Sequence, residues 1–247
     1  SGIPSDNGTL FTPSSVEAYA NGLLKEERVF DVDGKIKMKK NIFYRKILST
    51  QKEFFGYVSS CQKTNQNRTC SLIEYPITSN WLVIQKRETF NFLDGDTVNN
   101  TKVFNFYNPK HKQLTKTETK NSNGKTTTKK LYYPDDITST TSLPGGPLSS
   151  SAFNAIHRLK TPTDDNPNAQ HRIGEVIQEV TEVKDNITNA TSTVLKRNNY
   201  ANWNGKILPK SVQTSKSTQP LEDRIVYHRY DSHANPLEIS QKDGPHT

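Results

Sequence analysis

The sequence predicts an all-β fold, in which long antiparallel hairpins form one meandering sheet and a single short helix interrupts them. Thr and Asn are abundant; Thr suits a strand with a solvated face, and Asn suits turns. Asp-Gly and Asn-Gly pairs separate segments of alternating polarity, which is the pattern of tight hairpins. Only 31% of the residues are hydrophobic, which favours thin sheets with one solvated face over a thick closed core.

The first predicted elements are an irregular N-terminal segment and a hairpin. Residues 1–22 are rich in Ser, Pro, Gly and Thr, which predicts irregular structure. Strands are expected over residues 23–32 and 35–48. Asp33-Gly34 between them predicts a tight turn in which both residues take positive φ. This hairpin opens a β-hairpin region that we expect to extend over residues 23–142.

Further strands are predicted along the rest of the chain. Asp94-Gly95 and Asn123-Gly124 are expected to turn two of the hairpins. The spacing between strands varies too much for a solenoid of fixed period, so we expect an antiparallel meander. A second hairpin region, residues 173–247, is expected to continue the same sheet. The predicted strands cover residues 81–92, 102–107, 112–120, 125–133, 173–184, 191–198, 206–214, 224–230 and 236–241.

Residues 143–172 break the strand pattern and predict a loop with a short helix. The helix is expected over residues 149–160, with Ser150 or Ser151 as its N-terminal cap. Pro162 lies just beyond it and favours its end. Three apolar residues at helical spacing support the assignment: Phe153, Ile156 and Leu159.

The two cysteines, Cys61 and Cys70, flank a short polar segment, which is the spacing of a hairpin closed by a disulfide. Such a bridge would stabilise the hairpin by roughly 2–3 kcal/mol in the chain-entropy account. Two free thiols are the alternative. A bridge fits an oxidising compartment, so we expect an extracellular or cell-surface location. The start at Ser1-Gly2 indicates a processed or truncated chain.

The net charge of +8 leaves nucleic acids and anionic surfaces open as partners. The lysines, however, are spread through strand-like segments, where they solubilise one face and protect edges, as at Lys35, Lys37 and Lys39. No stripe or motif concentrates the charge, so we expect no nucleic-acid partner. No apolar run is long enough for a membrane span.

The sequence carries no catalytic or metal-binding pattern. Ser232 and His233 stand next to Asp231, but a catalytic triad is assembled from distant segments, so a solvated turn is expected there. The Asp31–Gly34 segment resembles part of a calcium loop, yet Lys40 stands where an EF-hand requires Glu. We therefore expect no enzyme activity, no metal site and no cofactor.

Aromatic residues recur along the chain and have two interpretations. Packing in a core on the buried face of the sheet is favoured. A platform that binds sugar or protein is the alternative for exposed members such as Trp203. The set comprises Phe43, Phe54, Phe55, Tyr57, Trp81, Phe90, Phe92, Phe104, Phe106, Tyr107, Tyr132, Tyr133, Trp203, Tyr227 and Tyr230.

Residues 221–244 contain the segment Tyr-Asp-Ser-His-Ala-Asn-Pro, and this stretch resembles the YD repeat of RHS-type proteins, especially those on the surface of Bacteroidetes. The close match covers roughly residues 100–247. A second, degenerate copy has Phe in place of the Tyr. Residues that match the repeat motif are Tyr230, Asp231 and Asn235 in the first copy and Phe30, Asp31 and Gly34 in the second.

The resemblance implies long hairpins that wind into a curved or spiral sheet, and a structural or adhesive segment of a secreted bacterial surface protein. Its partner would be the rest of the same polypeptide or another surface or secretion-system protein. The alternatives are a shell segment of a polymorphic toxin and a hydrolase of surface polymers. Ala234 stands where the repeat usually has Gly, which predicts an altered turn. The last strand is expected to be a sheet edge.

Overall fold

The computed structural model describes residues 22–64 and 67–242, and their strands form one antiparallel sheet. Eleven strands follow one another in chain order, with β1 at one edge and β11 at the other. The all-β prediction is therefore confirmed. Apart from Gly22, the irregular segment predicted for residues 1–22 lies outside the described residues. The strands are β1 Glu26–Phe30, β2 Ile36–Thr64, β3 Asn67–Leu93, β4 Asp96–Tyr107, β5 Leu114–Asn121, β6 Lys125–Tyr132, β7 Gln178–Asp185, β8 Thr191–Trp203, β9 Lys206–Lys216, β10 Glu222–Tyr230 and β11 Pro236–Gln241.

The hairpin turns are of two kinds. Asp94-Gly95 has φ values of 51° and 91°, so both residues of this two-residue turn are left-handed, as expected of Asp-Gly. The expectation that Asp33 also takes positive φ is wrong, because only Gly34 does, at 77°. A bulge after Val29 pairs Phe30 with Ile36, and this register leaves five residues in the loop instead of two.

Strands β2 and β3 are much longer than predicted, at 29 and 27 residues. The sequence predicts strands that end at residue 48 and begin at residue 81. The segment between them lacks clean alternation, because its apolar residues fall on both faces of the ribbon. The segment is strand because its residues pair with each other. The pairing of β2 with β3 starts at Met38 opposite Asn91 and ends at Thr64 opposite Asn67.

Residues 133–177, called the cap below, lie between β6 and β7. They contain a short 3-10 turn and the helix α1, Ser150–His157. The cap residue of α1 is Ser149, whose Oγ accepts a hydrogen bond from Ala152 N at 3.2 Å, so the assignment to Ser150 or Ser151 is wrong. Within residues 22–64 and 67–242, no helix has the length and apolar character needed to cross a membrane.

The hydrophobic core lies between the cap and strands β8 and β9, which contribute Tyr200 and Ile207. The interpretation of the aromatic set as the core is wrong for several members, since Phe43, Phe55 and Tyr57 are 40%, 55% and 59% exposed. Aliphatic side chains fill most of the core instead. The core residues are Ile137, Leu143, Leu148, Ala152, Ala155, Ile156, Leu159, Ile177, Tyr200 and Ile207, with Tyr132 and Phe153 packed against them.

A buried arginine fastens the cap to the sheet. Arg197 on β8 donates through Nε to Gln178 Oε1 at 2.6 Å, and through Nη2 to the carbonyls of Pro144 and Gly146 at 2.9 Å each. Desolvation lowers the pKa of the guanidinium, and these three bonds offset part of that cost. The contacts join the loop before α1 to β7 and β8.

Candidate functional site

A largely exposed part of the sheet is the outer end of the β2–β3 hairpin, residues 52–64 and 67–79, called the arm below. Its thirteen antiparallel pairs, at about 3.4 Å per residue, make a ribbon roughly 40 Å long. Within residues 22–64 and 67–242, no neighbouring strand accompanies it, because β1 pairs with β2 along residues 36–41 and β4 pairs with β3 along residues 86–93. The arm is therefore a two-stranded ribbon that extends from the sheet.

Both faces of the arm carry apolar side chains. On one face, Phe54 lies opposite Ile77, and they are 54% and 48% exposed. Phe55, Tyr57 and Leu72 belong to the other face and are 55%, 59% and 70% exposed. An isolated two-stranded hairpin is only marginally stable in water. The arm therefore presents apolar area that a partner would bury.

A glycine and a tyrosine fit together in the middle of the arm. A Cβ atom at Gly56 would lie 2.5 Å from Tyr75 Cζ, on the residue directly opposite. The ring of Tyr75 therefore lies over the Gly56 backbone. It occupies the space that a side chain at position 56 would otherwise fill. This contact gives the middle of the ribbon local packing without a second layer.

The predicted disulfide is confirmed: Cys61 and Cys70 lie directly opposite each other in the arm and are bonded. The bridge closes a loop near the distal end of the ribbon, where it restricts the unfolded arm. A structural disulfide is consistent with an extracellular location.

The joint between the arm and the main sheet is irregular. Ile47 pairs with Trp81 and Lys52 with Ser79, so residues 48–51 oppose Asn80 alone. Among the residues that the structure describes, neither amide atom of the buried Asn80 side chain has a hydrogen-bond partner. A buried unsatisfied polar group costs about 1–3 kcal/mol, which makes this joint weak.

The two predicted repeat motifs form loops with the same hydrogen bonds. Asp31 Oδ1 accepts from the backbone N–H groups of Asp33 and Lys35, at 3.0 and 2.8 Å. Asp231 Oδ1 accepts in the same way from His233 and Asn235, at 2.8 Å each. In each loop the Asp N–H also donates to the carbonyl four residues later, at 2.9 Å. The loops over residues 31–35 and 231–235 are thus one structural unit used twice.

Ala234 does not alter the turn, contrary to the expectation from its departure from Gly. Its φ is 72°, close to the 77° of Gly34 at the equivalent position. The hydrogen bonds of the loop therefore hold an L-residue in the left-handed region, at a cost of about 1–2 kcal/mol.

The aspartates of both loops are held ionised by these bonds. The Lys35 backbone bond lowers the pKa of Asp31, and the Asn235 side chain lowers the pKa of Asp231. A lowered folded-state pKa stabilises the protein above the unfolded value, near pH 4, and the effect is lost as pH falls through the folded value. The carboxylates thus contribute to the structure of both loops.

The aromatic residue before each loop differs in its surroundings. Tyr230 donates its hydroxyl to the Pro209 carbonyl at 2.8 Å, and burial raises its pKa to about 12. Phe30, at the equivalent position, is 55% exposed and has no hydroxyl to donate. Only the C-terminal copy therefore ties its hairpin to a neighbouring strand through this ring.

The residues near Asp231 are not arranged as a triad. The Asp231 carboxylate bonds to backbone N–H groups and to Asn235 Nδ2, while His233 Nδ1 lies 3.3 Å from Ser232 Oγ. Across residues 22–64 and 67–242, no three His, Cys, Asp or Glu side chains converge so as to hold a metal ion.

No protein-family model matches the chain, and no curated protein matches it either.

Proposed function

We propose that this chain is a non-enzymatic structural segment of a larger extracellular YD-repeat-type protein, with the arm as its adhesive element. The single observation that carries the proposal is the recurrence of the same five-residue loop in the hairpins at both edges of the sheet, β1–β2 and β10–β11. A sheet made of like hairpins is extended by adding further hairpins at its edges. The chain would then be one stretch of a longer sheet.

The edge strand β11 supports this role. All six of its residues are exposed, and it pairs with β10 on one side. Its other side offers backbone donors and acceptors to an incoming strand. We assign that strand to the rest of the same polypeptide, since the described strands pair with one another in chain order throughout the sheet.

The arm supports the adhesive part of the proposal. Among the described residues, no strand runs beside its outer edges, and apolar side chains lie on both of its faces. Strand addition uses both features, because the backbone supplies affinity and alternate side chains supply specificity. Few charges lie among its described side chains, so we assign the partner as an extended, apolar polypeptide segment.

Sheet extension is tested by fusing a second copy of residues 221–242 after Thr247 of the full chain. We expect backbone amides of β11 to exchange at least about tenfold more slowly in the fusion than in the unfused chain, because the added strand covers the edge of the sheet. The control carries proline in the added copy at the positions equivalent to Ile225 and Tyr227, which removes two ladder donors. Equal exchange in both fusions would contradict sheet extension.

The adhesive role is tested by removing the arm. Replacing residues 48–80 with Asn-Gly joins Ile47 to Trp81, which are already paired, through a two-residue turn. A displayed library of random twelve-residue peptides is then selected on both proteins. We expect alternating apolar sequences to be enriched on the intact chain only. Equal enrichment on the armless variant would reject the adhesive role and leave sheet extension untouched.

A further inference from the structure

Strands β9 and β10 separate from each other near the β8–β9 turn. Their pairing runs from Glu222 opposite Thr214 to Val226 opposite Ser211 and ends there. Beyond that point β9 remains paired with β8, and β10 with β11. A cavity of about 340 Å³ lies between the β8–β9 turn and the β10–β11 loop. This cleft is lined by Trp203, Asn204, Lys206, Leu208, Tyr230, Asp231 and Ser232.

Specific contacts hold the cleft open. Pro209 lies on β9 just beyond the last pair and has no N–H with which to continue the ladder. Tyr230 Oη donates to the Pro209 carbonyl at 2.8 Å, and Lys206 Nζ donates to the Ser232 carbonyl at 2.6 Å. These side chains span the gap that direct strand pairing would have closed. The cleft is thus a built feature of the sheet.

The cleft has aromatic walls and a polar rim. The rings of Trp203 and Tyr230 meet edge to face at 5.1 Å, and Tyr227 stacks on Tyr230 at 5.9 Å. Within the described part of the chain, the buried indole N–H of Trp203 has no hydrogen-bond partner. Asn204 is exposed at the rim. The site therefore combines flat apolar surfaces with the hydrogen-bonding capacity of the Asn204 amide at its rim.

The charges at the cleft are already engaged. The Asp231 carboxylate accepts hydrogen bonds within its own loop, and the Lys206 ammonium is bound to a carbonyl. The two groups carry opposite charges that interact with each other, so the site has no net charge to balance a charged ligand. Transferring an unpaired charge into such a site is costly. The ligand is therefore expected to be neutral.

We propose that this cleft binds a single neutral sugar ring. One face of a pyranose presents C–H groups that pack on aromatic rings, while its hydroxyls require donors and acceptors such as those at the rim. The cavity volume lies at the lower end of the range for small-molecule sites, which fits one ring rather than an oligosaccharide. The proposal rests on the geometry of β9 and β10 and does not depend on sheet extension.

Tryptophan emission provides the test, because the chain has only two Trp residues. Trp81→Phe leaves Trp203 as the sole reporter. Methyl glycosides of glucose, galactose, mannose and N-acetylglucosamine are titrated to about 50 mM, which covers weak affinities. We expect a saturable shift with at least one of them and none with glucuronate or glucosamine. Absence of saturation with all four neutral glycosides would overturn the proposal.

Variants then locate the site. Tyr230→Ala in the Trp81→Phe background should weaken binding at least tenfold, because it removes one wall. Phe30→Ala, which removes the exposed ring at the equivalent position of the other loop, is the matched control and should bind unchanged. If Tyr230→Ala does not fold, Leu208→Phe decides the question, since it fills the cleft and should also abolish binding. Unchanged binding in a folded Tyr230→Ala or Leu208→Phe protein would place the sugar elsewhere and overturn the assignment.

Discussion

The capped strands and the arm use the same antiparallel pairing but are stabilised differently. Under the cap, Tyr200 of β8 and Ile207 of β9 are buried, whereas in the arm Phe55 and Tyr57 are more than half exposed. Burial of an aliphatic side chain contributes about 1.5–3 kcal/mol, while pairing by itself contributes little net free energy. The comparison shows that a strand of this chain can be regular without being part of a core.

The two regions also differ in how they are tied down. Arg197 and the aliphatic cluster join the cap to β7–β9 through many contacts between distant segments. The arm relies on local ties: the Cys61–Cys70 bridge, and Tyr75 lying over Gly56. We therefore expect the cap to control global unfolding and the arm to open locally.

The largest expected effect comes from one substitution made in both regions. Ile156→Ala should lower the free energy of unfolding by about 3–4 kcal/mol, because it leaves a cavity in the core. Ile77→Ala in the arm should cost less than about 1 kcal/mol, since that side chain is 48% exposed. Urea denaturation followed by circular dichroism measures both. Equal losses would show that the arm belongs to the cooperative core.

Reducing the disulfide should affect the arm alone. Loss of the Cys61–Cys70 bridge is expected to cost the arm roughly 2–3 kcal/mol, which corresponds to about hundredfold faster exchange of its amides. Amides of β7–β9 should exchange as before, because the core does not contact the bridge. Hydrogen exchange with and without reductant checks this. Faster exchange throughout the sheet would contradict the separation of the two regions.

Replacing the unsatisfied amide at the joint should strengthen the arm. Asn80→Val is expected to add about 1 kcal/mol of local stability, because it removes two buried polar atoms and introduces a good strand residue. Asn105→Val is the matched control and should be destabilising instead, since Asn105 Nδ2 donates to the Ile84 carbonyl at 3.0 Å. Exchange rates of the arm amides report the first change, and urea denaturation the second. If both variants were stabilised, or both destabilised, the contrast between the unpaired Asn80 amide and the paired Asn105 amide would be refuted.

The smallest expected effects come from the two like loops. Gly34→Ala should cost about 1 kcal/mol, because φ is 77° there. Ala234→Gly should raise the free energy of unfolding by about 0.5 kcal/mol. Glycine removes the backbone strain of Ala234 at φ 72°, and this gain exceeds the cost of the greater conformational entropy of the unfolded chain. Thermal unfolding of the two single variants gives the signs. Changes of the same sign would show that the loops are not equivalent.

Local chemistry made several features predictable from the sequence. Asp94-Gly95 specifies its turn because both residues tolerate positive φ, and a turn was expected at Asp231. The five-residue loop at residues 31–35 was not predicted, because its register follows from the bulge after Val29. The disulfide follows from two cysteines a short distance apart in one hairpin. These features depend on residues within a few positions of each other.

Only the tertiary structure decided where side chains are buried and where strands part. Alternating polarity marks a strand when one face is covered. The arm, residues 52–64 and 67–79, has no such cover and gave no such signal, although its residues are paired. The cap could be recognised as an interruption, but its packing on Tyr200 and Ile207 depends on segments far apart in the chain. The cleft beside Tyr230 likewise depends on contacts between strands. The Tyr230 and Lys206 side chains bridge the gap between β9 and β10, and neither contact can be read from residues that are neighbours in sequence.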